Sequence, residues 1–132
     1  MNTLTEARLE AYRRRGEFIL AVAEGRMKPH EVIAKADEPG SEVLRPITLK
    51  RLLGAMPGWG EAKTGRFISE LALVTETSVK PNRLTISWLI DRRAGGRRLI
   101  AYANLWQQEQ RAERPLPWPG FPYTPLPKGG VL

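Results

Sequence analysis

Apolar side chains recur every three or four residues through most of the chain, the spacing that places them on one face of an α-helix. The first such stretch predicts a long helix from about Thr5 to Glu24. A short helix is predicted from Pro29 to about Ala36, because proline suits a first helical turn and apolar residues follow it. The apolar face of the first helix is expected to comprise Leu4, Leu9, Tyr12, Ile19 and Val22.

Further helices are predicted in the rest of the chain, two of them preceded by a threonine that can cap the first turn. Residues 84–90 contain β-branched side chains, but we interpret them as helix because no partner strand is evident elsewhere. The fold class is therefore predicted to be all-α. The helices are expected after Thr48, from Glu61 or Ala62, from Asn82 or Thr85 through Ala94, and from about Arg97 to Ala112.

The composition changes at Pro115, after which the chain holds more than half of its 11 prolines and several aromatic residues. Proline cannot sustain a helix, so this tail is predicted to be extended or polyproline-like. We divide the chain into a basic N-terminal helix (residues 1–27), a helical core (residues 28–114) and an extended Pro-rich tail (residues 115–132). No internal repeat is evident in the sequence.

The charge of the chain indicates an anionic partner. Its 132 residues include 21 lysines and arginines against 14 acidic residues, which gives a formal net charge of +7. Most of these cations are arginines, which fork onto phosphates and base edges, so nucleic acid is the expected partner. No apolar run is long enough to cross a bilayer, which argues against a membrane partner.

Catalytic and metal-binding chemistry finds little support in the composition. The chain has no cysteine and a single histidine, His30, which argues against zinc sites, disulfides and Ser–His–Asp or Cys–His centres. Acidic residues that could be paired as catalytic carboxylates are not accompanied by a matching base or by further metal ligands. We therefore expect a protein that is not an enzyme and that binds no metal or cofactor. The lack of cysteine also fits a reducing cytoplasm.

The most informative segment is Met56–Lys63, in which a predicted helix is followed by Gly58-Trp59-Gly60 and the start of the next helix. The glycines permit a sharp turn and a close approach to a ligand, while Trp59 would anchor the turn in the core. Backbone N–H groups at the start of the second helix would face outward and could bind a phosphate. The alternative is a simple helix–helix turn without a ligand. The residues assigned to this site are Gly58, Gly60, Lys63 and Arg66.

Two further basic clusters could contact other phosphates. One surrounds the Gly95-Gly96 break, where two arginine pairs lie close in sequence and could straddle a groove. Arg83 lies near a predicted helix start and is assigned to a base or minor-groove contact. The other cluster lies on the first helix, where glutamates allow ion pairs within the helix. For both clusters a solvated basic face is the alternative. The assigned residues are Lys80, Arg83, Arg92, Arg93, Arg97 and Arg98 in the former and Arg13 and Arg14 in the latter.

These motifs resemble the actinobacterial integration host factor family. The resemblance implies a small all-helical fold in which a long basic helix precedes a helix–two-turns–helix core. It also implies binding of duplex DNA with little sequence preference, bending or compaction of that DNA, and assistance to a phage integrase in site-specific recombination. The matching residues are Leu52-Leu53-x-Ala55-Met56-Pro57-Gly58-Trp59-Gly60-x-Ala62-Lys63, Ile68-x-x-Leu71, Pro81-Asn82-Arg83-Leu84 and Asp91-Arg92-x-x-x-x-Arg97.

By this resemblance Gly58, Gly60 and Lys63 match the phosphate contacts of the family's hairpin, and Arg83 matches an arginine of its second conserved stretch. The sequence departs from the family at several points. Thr85 stands where the family has another arginine, and a tryptophan replaces a small apolar residue in the hairpin. Residues 95–98 differ from the family's last helix, and the Pro-rich tail has no counterpart. These departures suggest a phage-encoded or otherwise specialised relative.

We therefore expect a monomeric architectural protein that binds double-stranded DNA and is associated with the nucleoid in a bacterial or phage-infected cytoplasm. A recombinase or another protein is the expected partner of the Pro-rich tail. One alternative is a sequence-specific helix-turn-helix repressor with a helix near residues 85–94 or 97–112 in the major groove. The other is a phage or virion interaction module whose tail binds a partner.

Overall fold

A computed structural model of the protein describes residues 3–113, which are all-helical and contain no β-strand. The predicted fold class is therefore confirmed. Among the described residues, those up to Tyr102 form one compact unit and residues 103–113 belong to a second, so the boundary falls within the last helix. The predicted tail (residues 115–132) lies outside the described residues. The α-helices are α1 (Thr3–Ala23), α2 (Pro29–Ala36), α3 (Leu49–Gly54), α4 (Glu61–Thr75), α5 (Ile86–Leu89) and α6 (Arg97–Glu113), and 3-10 helices occur at Glu42–Leu44, Pro81–Arg83 and Arg92–Ala94.

Helix α1 contacts α3 and the first 3-10 helix, and its buried residues are Ala21 and Val22, near its C-terminal end. The predicted apolar face is not buried in the first half of α1, where Leu4, Leu9 and Tyr12 are 62%, 54% and 66% exposed. Helical spacing decides which side chains share a face, but it does not decide what lies against that face.

Helices α2 to α5 supply most of the core of the first unit. Helix α2 has the predicted bounds, and its first turn is closed by Glu31, whose Oε1 accepts from the Lys28 N–H at 2.7 Å. Helix α3 packs against α4, and the 3-10 helix Pro81–Arg83 packs against both. The largest fully buried side chains are Val22, Leu44, Ile47, Leu49, Leu52, Leu53, Ile68, Leu71, Leu84, Ile86 and Leu89.

Helix α5 is shorter than the sequence pattern predicts. It ends at Leu89, and Asp91 then begins a separate 3-10 turn by accepting a hydrogen bond from the Arg93 N–H at 2.9 Å. An aspartate side chain offers the backbone an alternative to the helical bond, which favours a new start over continuation. Gly95 follows with a φ of 62° and ends the turn. The prediction that this helix continues through Ala94 is therefore wrong.

The fold contains a repeat that sequence analysis missed. Thr48 and Thr85 pair across an isolated antiparallel bridge. The Leu49 N–H donates to Leu84 O at 2.8 Å, and the Ile86 N–H donates to Ile47 O at 2.9 Å. The same interval along the chain separates Ile47 from Leu84, Thr48 from Thr85 and Leu49 from Ile86. A half-turn rotation about the bridge therefore exchanges the two segments and their hydrogen bonds.

The equivalence continues away from the bridge. Thr48 caps α3 by accepting from the Arg51 N–H at 3.2 Å, and Thr85 caps α5 by accepting from the Trp88 N–H at 3.1 Å. At the same interval along the chain, Gly58 and Gly95 adopt φ values of 84° and 62° shortly before α4 and α6 begin. We call residues 55–60 the first hairpin and residues 90–96 the second hairpin. Each of them leads from a threonine-capped helix to the next long helix.

Candidate nucleic-acid interface

The first hairpin turns at Gly58, whose φ of 84° lies in the left-handed region that side chains other than glycine rarely adopt. Gly60 has ordinary extended backbone angles and is the N-cap of α4, where it supplies no side-chain hydrogen bond. A Cβ atom added at Gly58 or at Gly60 would meet no atom of the described residues within 4 Å. Among those residues, the outer face of this turn is therefore open to a ligand, and the first-turn N–H groups of α4 receive no capping side chain from Gly60.

Trp59 anchors the first hairpin in the core, as the sequence predicted. Only 6% of its surface is exposed, and it packs edge-to-face on Phe67, with ring centroids 5.5 Å apart and planes at 71°. Phe67 packs in the same way on Tyr102, at 5.6 Å and 78°. Burial raises the pKa of the Tyr102 hydroxyl above its usual value. This aromatic chain joins the first hairpin to the initial segment of α6.

Lys63 lies beside the open face of the first hairpin. Its Nζ is 4.5 Å from the centroid of the Trp59 ring, a cation–π contact worth roughly 0.5–1 kcal/mol. The contact restricts the lysine to the first turn of α4, where the helix dipole and the outward N–H groups also carry positive potential. The predicted grouping of Gly58, Gly60 and Lys63 is thus present in the structure.

The two glycines of the first hairpin are expected to respond differently to the same substitution. Gly58→Ser should lower the free energy of unfolding by about 1–2 kcal/mol, because it forces a side chain into the left-handed region. Gly60→Ser should raise it by a few tenths of a kcal/mol, because serine suits the extended N-cap position of α4. Urea unfolding of both variants checks this. Equal changes in the two variants would contradict the backbone angles described for the turn.

Several arginines assigned to DNA make contacts within the protein instead. On α1, Arg13 pairs with Glu10 and Glu17, and Arg14 donates to Gly40 O at 3.3 Å. Near the second hairpin, Arg93 pairs with Asp91 at 2.7 Å. Arg98 is half-buried; it donates to Trp88 O at 2.8 Å, and its guanidinium lies 4.6 Å from the centroid of the Trp88 ring. Arg98 thus fastens the start of α6 to α5.

Other assigned cations are exposed and make no ion pair with any described residue. Arg66 lies one turn beyond the first hairpin on α4, and Arg92 and Arg97 flank the second hairpin. Two exposed cations on α3, Lys50 and Arg51, were not assigned, although their position shortly before the hairpin motif was a usable signal. The complete set of assigned residues in this class is Arg66, Lys80, Arg83, Arg92 and Arg97.

The segment that carries Lys80 and Arg83 packs on α4. Pro81 lies in a shallow pocket with Ala72 and Leu73 of the C-terminal half of that helix. Lys63 lies in the first turn of α4, roughly 13 Å along the helix from these residues at 1.5 Å per residue. The Tyr102–Phe67–Trp59 contacts bring the initial segment of α6 close to the first hairpin.

Asp91 is an acidic residue of the second hairpin, and its carboxylate forms an ion pair with Arg93. Hydrogen bonds from the Arg93 side chain and from the Arg93 N–H lower its pKa from 3.8 to about 2. Because folding lowers the pKa of this carboxyl, its ionised form stabilises the fold at a pH above the unfolded-state pKa. This stabilisation is lost as the pH falls from about 4 toward 2. We expect Arg93→Gln to return the Asp91 pKa toward 3.8 in an NMR titration. An unchanged pKa would contradict the pairing.

The described part of the chain contains no candidate metal site and no candidate membrane-spanning helix. Within residues 3–113, no group of three or more histidine, aspartate or glutamate side chains is arranged to hold a metal ion. None of the helices in this range is both long enough and apolar enough to traverse a lipid bilayer.

Comparison of the chain with family models, with curated proteins and with solved structures finds no match in any of the three. The resemblance to the actinobacterial integration host factor family therefore rests on the motif residues alone.

Proposed function

We propose that this protein is a non-enzymatic architectural protein that binds duplex DNA through its phosphate backbone with little sequence preference. The observation that carries the proposal is the first hairpin: an open glycine turn, anchored by buried Trp59, with Lys63 held beside the start of α4. Such a turn presents N–H donors and positive potential to a phosphate. Phosphate carries no sequence information, so the contact is independent of base identity.

The exposed arginines support the same proposal. Arginines paired with carboxylates have their charge largely neutralised, whereas Arg66, Arg92 and Arg97 are exposed and make no ion pair with a described residue. A formal net charge of +7 would draw a polyanion to this surface over several ångströms. The bound duplex would bend only where additional phosphate interactions in the bent form outweigh a deformation cost of roughly 1–6 kcal/mol.

A helix-turn-helix repressor that reads DNA with α5 is less well supported. A recognition helix must expose side chains along its length to reach base edges. Helix α5 has four residues, and two of them, Ile86 and Leu89, are buried. This burial does not bear on α6, the other helix named for a repressor, so the binding test below must separate the two functions. In our proposal the protein acts as a monomer on bacterial or phage DNA within the nucleoid, and its tail contacts a recombinase or another protein.

The proposal is tested by fluorescence anisotropy with several unrelated duplexes of equal length. We expect similar affinities for all of them and a steep salt dependence. About six phosphate contacts would lower the affinity about a thousandfold between 50 and 200 mM salt. A strong preference for one duplex would favour a repressor. Affinity that is nearly constant with salt, or no binding at low salt, would contradict the proposal and direct attention to protein partners of the tail.

A further inference from the structure

We infer that a pocket between the ends of α2 and α5 binds a ribonucleotide, whose phosphate contacts Arg45 and Arg92 and whose ribose donates to Asp37. The inference goes beyond the proposed function, because it assigns a small-molecule ligand to a second place in the molecule and requires no contact with DNA. The pocket has a volume of about 410 Å³, within the range of pockets that bind small molecules. It is lined by Asp37, Arg45, Ser87, Ile90, Asp91 and Arg92.

Hydrogen bonds hold the two walls of this pocket together. One wall consists of Arg45 and of Asp37, the residue that ends α2. The other wall is formed by side chains between Ser87 and Arg92. The Arg45 Nε donates to Ala36 O at 2.8 Å, and the Ser87 N–H donates to Arg45 O at 3.0 Å. Arg45 therefore connects α2 to α5, and the pocket is formed without a ligand.

Two arginines of the pocket have donors that no described residue uses. The Arg45 Nε donates to Ala36 O, but the two terminal nitrogens of this guanidinium make no hydrogen bond or ion pair with a described residue. The side chain is half-buried and already oriented, so a ligand needs to order it little further. Arg92 is exposed and makes no ion pair with a described residue. Guanidinium groups present paired donors that match the oxygens of a phosphate.

Two aspartates also line the pocket, and they favour a ribonucleotide over a bare phosphate. Asp91 forms an ion pair with Arg93 at 2.7 Å, so its charge is compensated. Asp37 is exposed and makes no ion pair with a described residue, although it shares the pocket with two arginines. An ionised carboxylate only accepts hydrogen bonds, so it needs a donor on the ligand. Ribose hydroxyls are such donors, and an acidic side chain binds the ribose 2′-hydroxyl in dinucleotide-binding folds.

The backbone of DNA fits this pocket less well than a ribonucleotide does. Deoxyribose within a strand lacks the 2′-hydroxyl, so Asp37 would face that backbone without a donor. Ile90 is half-buried and supplies an apolar contact for a sugar or base. The pocket thus combines cations, an acceptor and an apolar contact, whereas the first hairpin presents donors and positive potential.

The inference is tested by isothermal titration calorimetry of the full chain with adenosine 5′-monophosphate (AMP) in the absence of DNA. We expect AMP to bind at a single site. The 2′,3′-dideoxy analogue of AMP and inorganic phosphate should each bind roughly tenfold more weakly, because both lack the ribose hydroxyls. Arg45→Gln and Arg92→Gln should each lower the affinity for AMP about tenfold or more. Arg92→Gln changes only an exposed side chain, so it remains informative if Arg45→Gln is unstable.

Asp37→Ala gives the sharpest result, because the two roles open to this carboxylate predict changes of opposite sign. If it accepts from a ribose hydroxyl, its removal weakens AMP binding about tenfold and does not weaken binding of the dideoxy analogue. If it only repels the phosphate, its removal strengthens binding of both compounds, which would overturn the inference. The side chain makes no ion pair with a described residue, so the fold should tolerate the substitution.

The matched control is Arg26→Gln, which removes one arginine charge outside the pocket lining and should leave the affinity for AMP unchanged. No AMP binding at roughly millimolar concentrations, or equal losses in Arg92→Gln and Arg26→Gln, would overturn the inference. Neither result bears on the proposed function, which is measured with DNA and depends on the first hairpin. Circular dichroism melts verify that each variant is folded.

Discussion

Combined replacement of Lys63→Glu and Arg66→Glu is expected to lower the affinity for duplex DNA on the order of 100-fold at low salt. The variant removes two positive charges beside the first hairpin and introduces two negative ones that repel phosphate. Two lost phosphate contacts should also reduce the slope of log affinity against log salt by about 2. Fluorescence anisotropy at several salt concentrations measures both quantities.

The control for this variant must carry the same net charge. Arg26→Glu with Lys35→Glu meets that requirement, because it also replaces one lysine and one arginine by glutamate. Neither residue belongs to the first hairpin or to α4, and both pair with glutamates, Arg26 with Glu24 and Lys35 with Glu38. The control should lose only the modest affinity that follows from a lower net charge. If both double variants lost affinity equally, binding would depend on total charge alone and the first hairpin would not be the anchor.

Trp59→Ala is expected to have the largest effect on stability, a loss of about 3–5 kcal/mol in the free energy of unfolding. The indole is 6% exposed and packs on Phe67, which packs in turn on Tyr102, so its removal leaves a cavity inside an aromatic chain. The loss is a large part of the roughly 5–15 kcal/mol that stabilises a typical domain. Urea unfolding followed by far-UV circular dichroism measures it.

Two comparison variants make the stability experiment specific. Trp59→Phe keeps an aromatic ring and should lose less stability than Trp59→Ala. Tyr12→Ala removes an aromatic residue that is 66% exposed, so its effect should stay within about 0.5 kcal/mol. A loss below about 1 kcal/mol for Trp59→Ala would mean that the first hairpin is not held by this packing. Reduced DNA binding by a folded Trp59→Phe would indicate that the indole also positions Lys63.

The first hairpin was the part of the candidate site that the sequence predicted best. Glycines on both sides of a tryptophan, between two apolar periodic segments, indicated the turn, its anchor and the start of α4. The contacts that individual arginines make within the protein were not predicted. Arg93 and Arg98, both assigned to DNA, contact Asp91 and Trp88, and their assignment to DNA stays a prediction. Asp91 is close enough in sequence to have been considered, whereas the Trp88 contact requires the path of the chain between α5 and α6.

The repeated unit had a signal in the sequence that was not recognised. Ile47-Thr48-Leu49 is followed by Leu52-Leu53 just as Leu84-Thr85-Ile86 is followed by Leu89-Ile90, and a glycine of positive φ follows each at the same interval. Exchanges between leucine and isoleucine around a single threonine are too common to establish a repeat. The hydrogen bonds across the Thr48–Thr85 bridge are what identify it.

The sequence by itself determined the all-helical class, the bounds of α2, the threonine cap of α3 and the turn at Gly58-Trp59-Gly60, and it narrowed the cap of α5 to Asn82 or Thr85. Each of these depends on interactions between residues a few positions apart, such as a cap, a proline in a first turn or a glycine of positive φ. Only the tertiary structure decided which face of α1 is buried, which arginines make contacts within the protein, and that the segments around Thr48 and Thr85 pair with each other. These depend on contacts between residues distant in the chain, which local pattern does not encode.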